Sequence, residues 1–116
     1  MTELNPAISA VTEELSRNAQ GILGDRLRKI ILYGSYARGD YEEHSDLDIM
    51  VLADFEEDEY KALESEIDKV ASDLGLDNDI IVSVMLNKEN LFMSRLHISP
   101  FYRNVLSEGV EIYGTH

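Results

Sequence analysis

The chain has 116 residues, of which 44% are apolar, and its 23 acidic and 10 basic residues give a formal net charge of -13. This length suits a single domain spanning residues 1–116, and the absence of cysteine excludes disulfides and thiolate metal sites. The negative charge repels phosphate backbones and therefore argues against a nucleic-acid polymer as the partner. No apolar run approaches the ~18 residues of a membrane span and the first residues lack signal-peptide features, so a cytoplasmic protein without a membrane partner is expected.

The first two predicted elements are a helix and a short strand. Apolar residues recur at spacings of three and four, with Asn5 as N-cap and Pro6 at the first position, which predicts an amphipathic helix ending near Gly24. Residues 30–33 form a β-prone run that is stopped by Gly34. We therefore expect a buried strand that ends in a tight turn at this glycine.

The middle of the chain predicts a second strand and then a long helix. Residues 47–53 are apolar behind an acidic entrance, so this strand is expected to begin near Asp46. Asp54 is a candidate N-cap for the helix that follows, and Gly75 is a C-cap signal. The apolar positions of this helix, three and four residues apart, are Tyr60, Leu63, Ile67, Val70 and Leu74.

The last third of the chain predicts a strand, two helices and an edge strand. Residues 80–86 predict the third strand, Asn87 is expected to cap a short helix, and Pro100 begins a last helix that Gly109 closes. Residues 110–113 predict the edge strand. This order of elements predicts an α/β or α+β fold, in which helices flank a small mixed sheet.

The segment from Gly34 to Asp40 places a glycine turn between a buried strand and one turn of helix. Such a turn favours phosphate, because glycine lets the backbone approach closely and a helix N-terminus favours negative charge. Gly34 and Gly39 have the spacing of a P-loop, but Asp40 stands where that motif needs lysine. A Gly-Ser turn alone is more often structural, so it indicates a phosphate site only in combination with other residues.

Two aspartates stand two positions apart at the entrance of the second strand. Because side chains alternate along a strand, the carboxylates of Asp46 and Asp48 are expected to project from one face. Their repulsion would raise a pKa unless a divalent cation neutralised them, which is the arrangement of a two-metal phosphoryl-transfer site. An isolated Asp-x-Asp is weak evidence in so acidic a chain, and residues 77–79 contain another. Much rarer is the conjunction of Gly34-Ser35, ten intervening residues and Asp-Leu-Asp leading into an apolar strand.

The segment GSYARGDYEEHSDLDIMV, which begins at Gly34, resembles the signature of the polymerase-beta-like nucleotidyltransferase superfamily, and specifically its minimal nucleotidyltransferase (MNT) branch. The flanking elements and the tail also resemble that family, so the similarity extends over nearly the whole chain. The resemblance implies that Gly34 and Ser35 contact the β- and γ-phosphates of ATP. It also implies that Arg38 pairs with the triphosphate and stabilises the leaving group.

The same resemblance implies a metal site with three carboxylates. Asp46 and Asp48 would bind two Mg²⁺ ions that bridge the phosphates, and a third carboxylate would help to activate the acceptor hydroxyl. Asp79, directly before the predicted third strand, fits this third position best. Asp77 is the alternative.

Some nearby residues have more than one interpretation. Arg38 is either the triphosphate ligand or an ordinary surface arginine among acidic neighbours, and the motif favours the first. Tyr36 and Tyr41 either stack on a base or simply cover the site. His44 is interpreted as a loop residue and not as a catalytic base.

The resemblance finally implies a protein partner. MNT proteins commonly act as antitoxins that transfer AMP from ATP to a tyrosine hydroxyl of a HEPN-domain toxin, and an acidic surface suits a basic ribonuclease. The chain ends soon after the catalytic core, so the acceptor is expected on another molecule. Two alternatives are a non-catalytic antitoxin that blocks the toxin by binding, and a nucleotidyltransferase that acts on a small molecule such as an aminoglycoside.

Overall fold

A four-stranded mixed sheet forms the centre of the computed structural model, which describes residues 4–114. Its strands are β1 (Leu27–Tyr33), β2 (Leu47–Ala53), β3 (Val82–Lys88) and β4 (Val110–Gly114). They lie in the order β3-β2-β1-β4, with β2 and β3 parallel and the other two pairs antiparallel. The predicted fold class is confirmed, and β4 is the predicted edge strand.

Within the described residues, five α-helices connect and cover these strands. They are α1 (Pro6–Leu23), α2 (Ser35–Arg38), α3 (Tyr60–Asn78), α4 (Glu89–Ser94) and α5 (Pro100–Glu108). The first helix begins as predicted, because Asn5 Oδ1 accepts a hydrogen bond from the Ala7 N–H at 2.8 Å and Pro6 takes the first position. None of the helices in residues 4–114 combines the length and the apolar character that crossing a membrane requires.

The alternation of side chains along the strands divides the core into two layers. On one face, the odd-numbered residues of β2 pack against α1 and α3. On the other face, Met50 of β2 packs with Phe92 of α4 and Val105 of α5. Asp48 is two residues before Met50, so its side chain lies on the same face of the sheet, which α4 and α5 cover. It stands near the start of β2, where the apolar layer ends.

The boundary between α3 and β3 differs from the sequence expectation. The helix continues past Gly75 to Asn78, so the assignment of Gly75 as C-cap is wrong. Gly75 is buried, and an added Cβ would lie 2.5 Å from the Ile80 carbonyl oxygen, so the chain returning from the helix requires a residue without a side chain there. Asp79 ends the helix, and β3 begins at Val82 instead of Ile80.

Two predicted helix caps, Asp54 and Asn87, are also wrong. The turn that leads into α3 is capped by Glu56, whose N–H donates to Glu59 Oε1 at 2.9 Å. Asn87 belongs to β3, where it continues the parallel pairing with β2. The short helix α4 begins only after Lys88.

Candidate active site

Gly34 forms the junction between β1 and α2 in a backbone conformation that favours glycine. Its φ of 77° and ψ of -156° lie in a region that residues with a side chain rarely adopt. A Cβ at this position would lie 2.5 Å from Asp48 Oδ2. The backbone of the turn therefore lies directly against the Asp48 carboxylate, so the predicted phosphate turn and a predicted metal ligand meet in the fold.

The single helical turn of α2 follows directly. The Gly34 carbonyl oxygen accepts hydrogen bonds from the N–H groups of Ala37 and Arg38, both at 3.1 Å. Ser35 takes the first position, where helix N–H groups have no carbonyl partner within the helix. This turn offers a hydroxyl and backbone N–H groups beside Asp48, and phosphate oxygens accept hydrogen bonds from such donors.

Asp46 and Asp48 form a pair of interacting carboxylates at the start of β2. Asp48 is half-buried and pairs across the strands with Tyr33 of β1 and Ser83 of β3, whereas Asp46 directly precedes the strand and is exposed. Burial raises the pKa of Asp48, the charge of Asp46 raises this pKa further, and the positive charge of Arg38 opposes both effects. The two carboxylates repel one another, and a bound divalent cation would relieve that repulsion.

Arg38 ends α2 and contacts two carboxylates at the surface. Its Nε donates to Asp40 Oδ2 at 3.2 Å, and its Nη1 donates to Glu108 Oε2 of α5 at 3.5 Å. The hydrogen bond to Asp40 and the charge of that carboxylate raise the pKa of Arg38, so the guanidinium is charged. Because all three side chains are exposed, these ion pairs contribute little to stability, and Arg38 can exchange them for phosphate oxygens.

Tyr33 is a member of the site that the sequence interpretation missed. Burial, followed by the charge of the adjacent Asp48, raises the pKa of Tyr33 to about 12. Its hydroxyl donates to Met85 Sδ at 3.4 Å, and its ring packs edge-on against Phe101 with 5.6 Å between centroids. The sequence signal for Tyr33 is its place immediately before Gly34; the contacts with Met85 and Phe101 are long-range and have no local signal.

The two candidates for a third carboxylate lie at the end of α3. Asp77 is an exposed residue of the helix, and Asp79 caps it with a left-handed φ of 54°. Asp79 and Glu43 line a cavity of about 720 Å³ beside β3. Among residues 4–114, no three acidic, histidine or cysteine side chains lie close enough to hold a metal ion, so the structure does not bring Asp79 together with Asp46 and Asp48.

The two tyrosines between α2 and β2 stack on each other. The rings of Tyr36 and Tyr41 are 4.3 Å apart and nearly parallel, at 15°. Tyr36 is buried in the main core, whereas Tyr41 is exposed. Through this stack, the loop that precedes Asp46 is held against the core. His44 lies in the same loop, beside the cavity.

Comparison with known proteins identifies related sequences. A family model described as a nucleotidyltransferase domain matches residues 8–112. A protein of Methanocaldococcus jannaschii, named putative protein adenylyltransferase, is 39% identical over 88 residues, which are 76% of this chain and 80% of the relative. Both findings confirm the resemblance carried by the signature that begins at Gly34.

Two solved structures share the fold. One is a toxin-antitoxin with AMP-PNP, with a TM-score of 0.60 and 23% identity over 90% of this chain and 74% of the matched chain. The other is a tri-AMPylated Shewanella oneidensis HEPN toxin in complex with MNT antitoxin, with a TM-score of 0.54 and 20% identity over 91% of this chain and 71% of the matched chain. Both likenesses confirm the predicted architecture.

Proposed function

This chain belongs to the nucleotidyltransferase domain family, and from that premise we propose that it is a magnesium-dependent antitoxin that transfers AMP from ATP to a tyrosine hydroxyl of a HEPN-domain toxin. The observation that carries the proposal is the direct approach of the Gly34 backbone to the Asp48 carboxylate. This approach supports a single site in which the groups proposed to bind phosphate lie beside the groups proposed to bind metal. Asp46 and Arg38 add one negative and one positive charge to the same place.

Gly34, Ser35 and Arg38 bind the triphosphate in this proposal. Without a Cβ at Gly34, the β- and γ-phosphates can reach the N–H donors of the turn, and the Ser35 hydroxyl adds a further donor. Arg38 leaves its exposed carboxylate partners and pairs with the phosphate oxygens. Its charge then stabilises the departing pyrophosphate.

In this proposal, the carboxylates of Asp46 and Asp48 would together hold two Mg²⁺ ions. Carboxylate oxygens are the donors that Mg²⁺ prefers, and the mutual repulsion that raises the pKa of Asp48 is the condition that a cation relieves. When bound, the metal neutralises the triphosphate and polarises the α-phosphorus. Asp79 stays the predicted third ligand, although it lies apart from the pair in this structure.

The reaction exchanges a phosphoanhydride bond of the α-phosphorus for a phosphoester bond. The acceptor oxygen forms a bond to the α-phosphorus, and the bond from that phosphorus to the oxygen bridging to the β-phosphate breaks in line with it. Pyrophosphate leaves with the bonding electrons of the broken bond, beside Arg38. The hydroxyl proton passes to a carboxylate, and Asp79 is the residue we predict for this role, although it lies apart from Asp46 and Asp48 in this structure.

A protein acceptor fits both the charge of the chain and its relatives. The formal charge of -13 suits a basic ribonuclease, because complementary fields speed the encounter of two proteins. The M. jannaschii relative is named for protein adenylylation, and the S. oneidensis structure pairs an MNT antitoxin with an AMPylated HEPN toxin. We place the reaction in the cytoplasm, which supplies ATP.

The proposal is tested with ATP labelled at the α-phosphate, Mg²⁺ and a HEPN-domain protein from the same organism. Wild type is expected to label a tyrosine of that protein, and the Asp46→Asn, Asp48→Asn double variant is expected to leave it unlabelled. A control with the same change in charge, Glu66→Gln with Asp73→Asn on the exposed side of α3, should behave as wild type. Equal protection against the toxin by wild type and the Asp46→Asn, Asp48→Asn variant would favour the alternative of a binding antitoxin.

The third carboxylate needs a separate comparison. Asp79→Asn is expected to slow the transfer, whereas Asp77→Asn on the exposed helix surface is expected to leave it unchanged. Rates are measured with the same labelled ATP at saturating Mg²⁺. The opposite order of the two variants would move the assignment to Asp77.

A further inference from the structure

The Tyr33 side chain crosses the sheet beside the proposed metal site. Tyr33 belongs to β1 and pairs with Asp48 of β2, yet its hydroxyl donates to the sulfur of Met85 in β3. Because β2 lies between β1 and β3, the ring must pass over β2 on the face that carries Asp48. It therefore forms a wall next to this carboxylate.

Two further side chains extend this wall towards solvent. Phe101 of α5 meets the Tyr33 ring edge-on, at 83° between the ring planes. Met85 and Phe101 are 41% and 42% exposed, which is enough to receive another molecule. We call the continuous apolar surface formed by Tyr33, Met85 and Phe101 the aromatic shelf.

The outer end of the shelf, formed by Phe101, lies away from Arg38, whereas its inner end, Tyr33, directly precedes Gly34. Arg38 contacts Glu108, the last residue of α5, whereas Phe101 is the second residue of the same helix. Phe101 and Glu108 are seven positions apart, which corresponds to ~10 Å along the helix axis. Since the attacking and leaving oxygens lie in line across the α-phosphorus, an acceptor approaches from the side opposite the pyrophosphate at Arg38. In this proposal the Phe101 end of the shelf, which is distant from Arg38, lies on that side.

We propose that the aromatic shelf is the acceptor subsite and that it receives the ring of a tyrosine from the partner protein, with the phenol hydroxyl directed towards Asp48. This inference rests on the proposed function and adds the surface that selects the acceptor. An incoming ring can pack on the edge or face of Phe101 and against the Met85 sulfur. A serine or threonine hydroxyl would leave this apolar surface in contact with water, so the shelf favours an aromatic alcohol over an aliphatic one.

The effect of the shelf on acceptor binding can be measured separately from any effect on nucleotide binding. The probes are Mg-ATP, whose Kd is measured by equilibrium dialysis, and a HEPN-domain protein from the same organism, whose KM is measured by transfer of α-labelled AMP. Phe101→Ala is expected to raise the KM for that protein about tenfold and to leave the Kd for Mg-ATP unchanged. Met85→Ala, at an exposed position, is expected to act in the same direction, and Phe101→Tyr should retain most of the wild-type KM.

The control is Leu76→Ala, which removes an 80% exposed apolar side chain from α3 on the other side of the sheet. It is expected to change neither constant. An unchanged KM for the acceptor protein in both shelf variants would overturn the inference. A loss of Mg-ATP affinity as large as the rise in KM would also overturn it, because the shelf would then bind the adenine base. AMP found by mass spectrometry on a serine or threonine would also overturn it. A wild type that transfers no AMP would overturn the proposed function itself, and the inference with it.

Discussion

Replacement of Gly34 by alanine tests the contact on which the site is built. The new Cβ would stand 2.5 Å from Asp48 Oδ2, whereas side-chain carbons essentially never approach closer than 3.0 Å, so the carboxylate must move by about 0.5 Å. The backbone strain of the position, at φ 77° and ψ -156°, adds ~1–3 kcal/mol to the cost of folding. Two separable effects follow, one on stability and one on the position of Asp48.

A matched control isolates the effect on Asp48. Gly24 has a similar backbone conformation, φ 60° and ψ -138°, and an added Cβ there meets nothing within 4 Å. Gly34→Ala and Gly24→Ala should therefore both lower the Tm, by about 4 °C for each kcal/mol. Only Gly34→Ala should reduce AMP transfer, by roughly 10- to 100-fold, because catalytic groups tolerate displacements of only ~0.5 Å.

Urea unfolding with and without Mg-ATP measures both effects in one assay. At a ligand concentration ~100 times the wild-type Kd, wild type and Gly24→Ala should gain ~2.7 kcal/mol of stability. A tenfold weaker Kd would remove ~1.4 kcal/mol of that gain from Gly34→Ala. If Gly34→Ala gains as much stability from Mg-ATP as Gly24→Ala does, then the Gly34–Asp48 contact is not required for nucleotide binding.

Three further predictions concern single side chains. Asp48→Asn should reduce transfer by ~100-fold or more. Because burial and the charge of Asp46 raise the folded-state pKa of Asp48, metal-free wild type should lose stability as the pH rises through that pKa. The variant should lose less, because only other groups with a raised pKa, such as Asp68, remain. Unfolding in EDTA from acid to neutral pH tests this, and parallel curves would contradict it. Arg38→Gln should raise the KM for ATP about tenfold and change the urea midpoint little, since its ion pairs are exposed; a large loss of stability would assign it a structural role. Phe92→Ala, at a side chain only 1% exposed between α4 and β2, should cost ~3–5 kcal/mol in urea unfolding, and a cost below ~1 kcal/mol would contradict the described packing.

Local signals were sufficient for the elements that define the site. Asn5 and Pro6 predict the start of α1 because capping involves only neighbouring residues. Strand alternation predicts that Asp46 and Asp48 share a face; in the structure Asp46 precedes the strand, and its charge raises the pKa of Asp48. Gly34 is predicted at the end of a strand, although its contact with Asp48 appears only when β1 and β2 pair.

Features that depend on distant parts of the chain were missed. Gly75 resembles a helix stop, but its lack of a side chain serves the close return of the chain at Ile80. The longer α3 that results places Asp79 in a cap and not at the start of β3. The path of Tyr33 across β2 likewise depends on the strand order, which local periodicity does not determine.

The central claim, transfer of AMP to a protein hydroxyl, is tested most directly by the position of the label in ATP. Wild type is incubated with Mg²⁺, the HEPN-domain protein and ATP labelled at either the α- or the γ-phosphate. We expect the α-label to become attached to a tyrosine of that protein, the γ-label to leave in pyrophosphate, and EDTA to prevent both. A γ-label on the protein, or no label from either ATP, would contradict it.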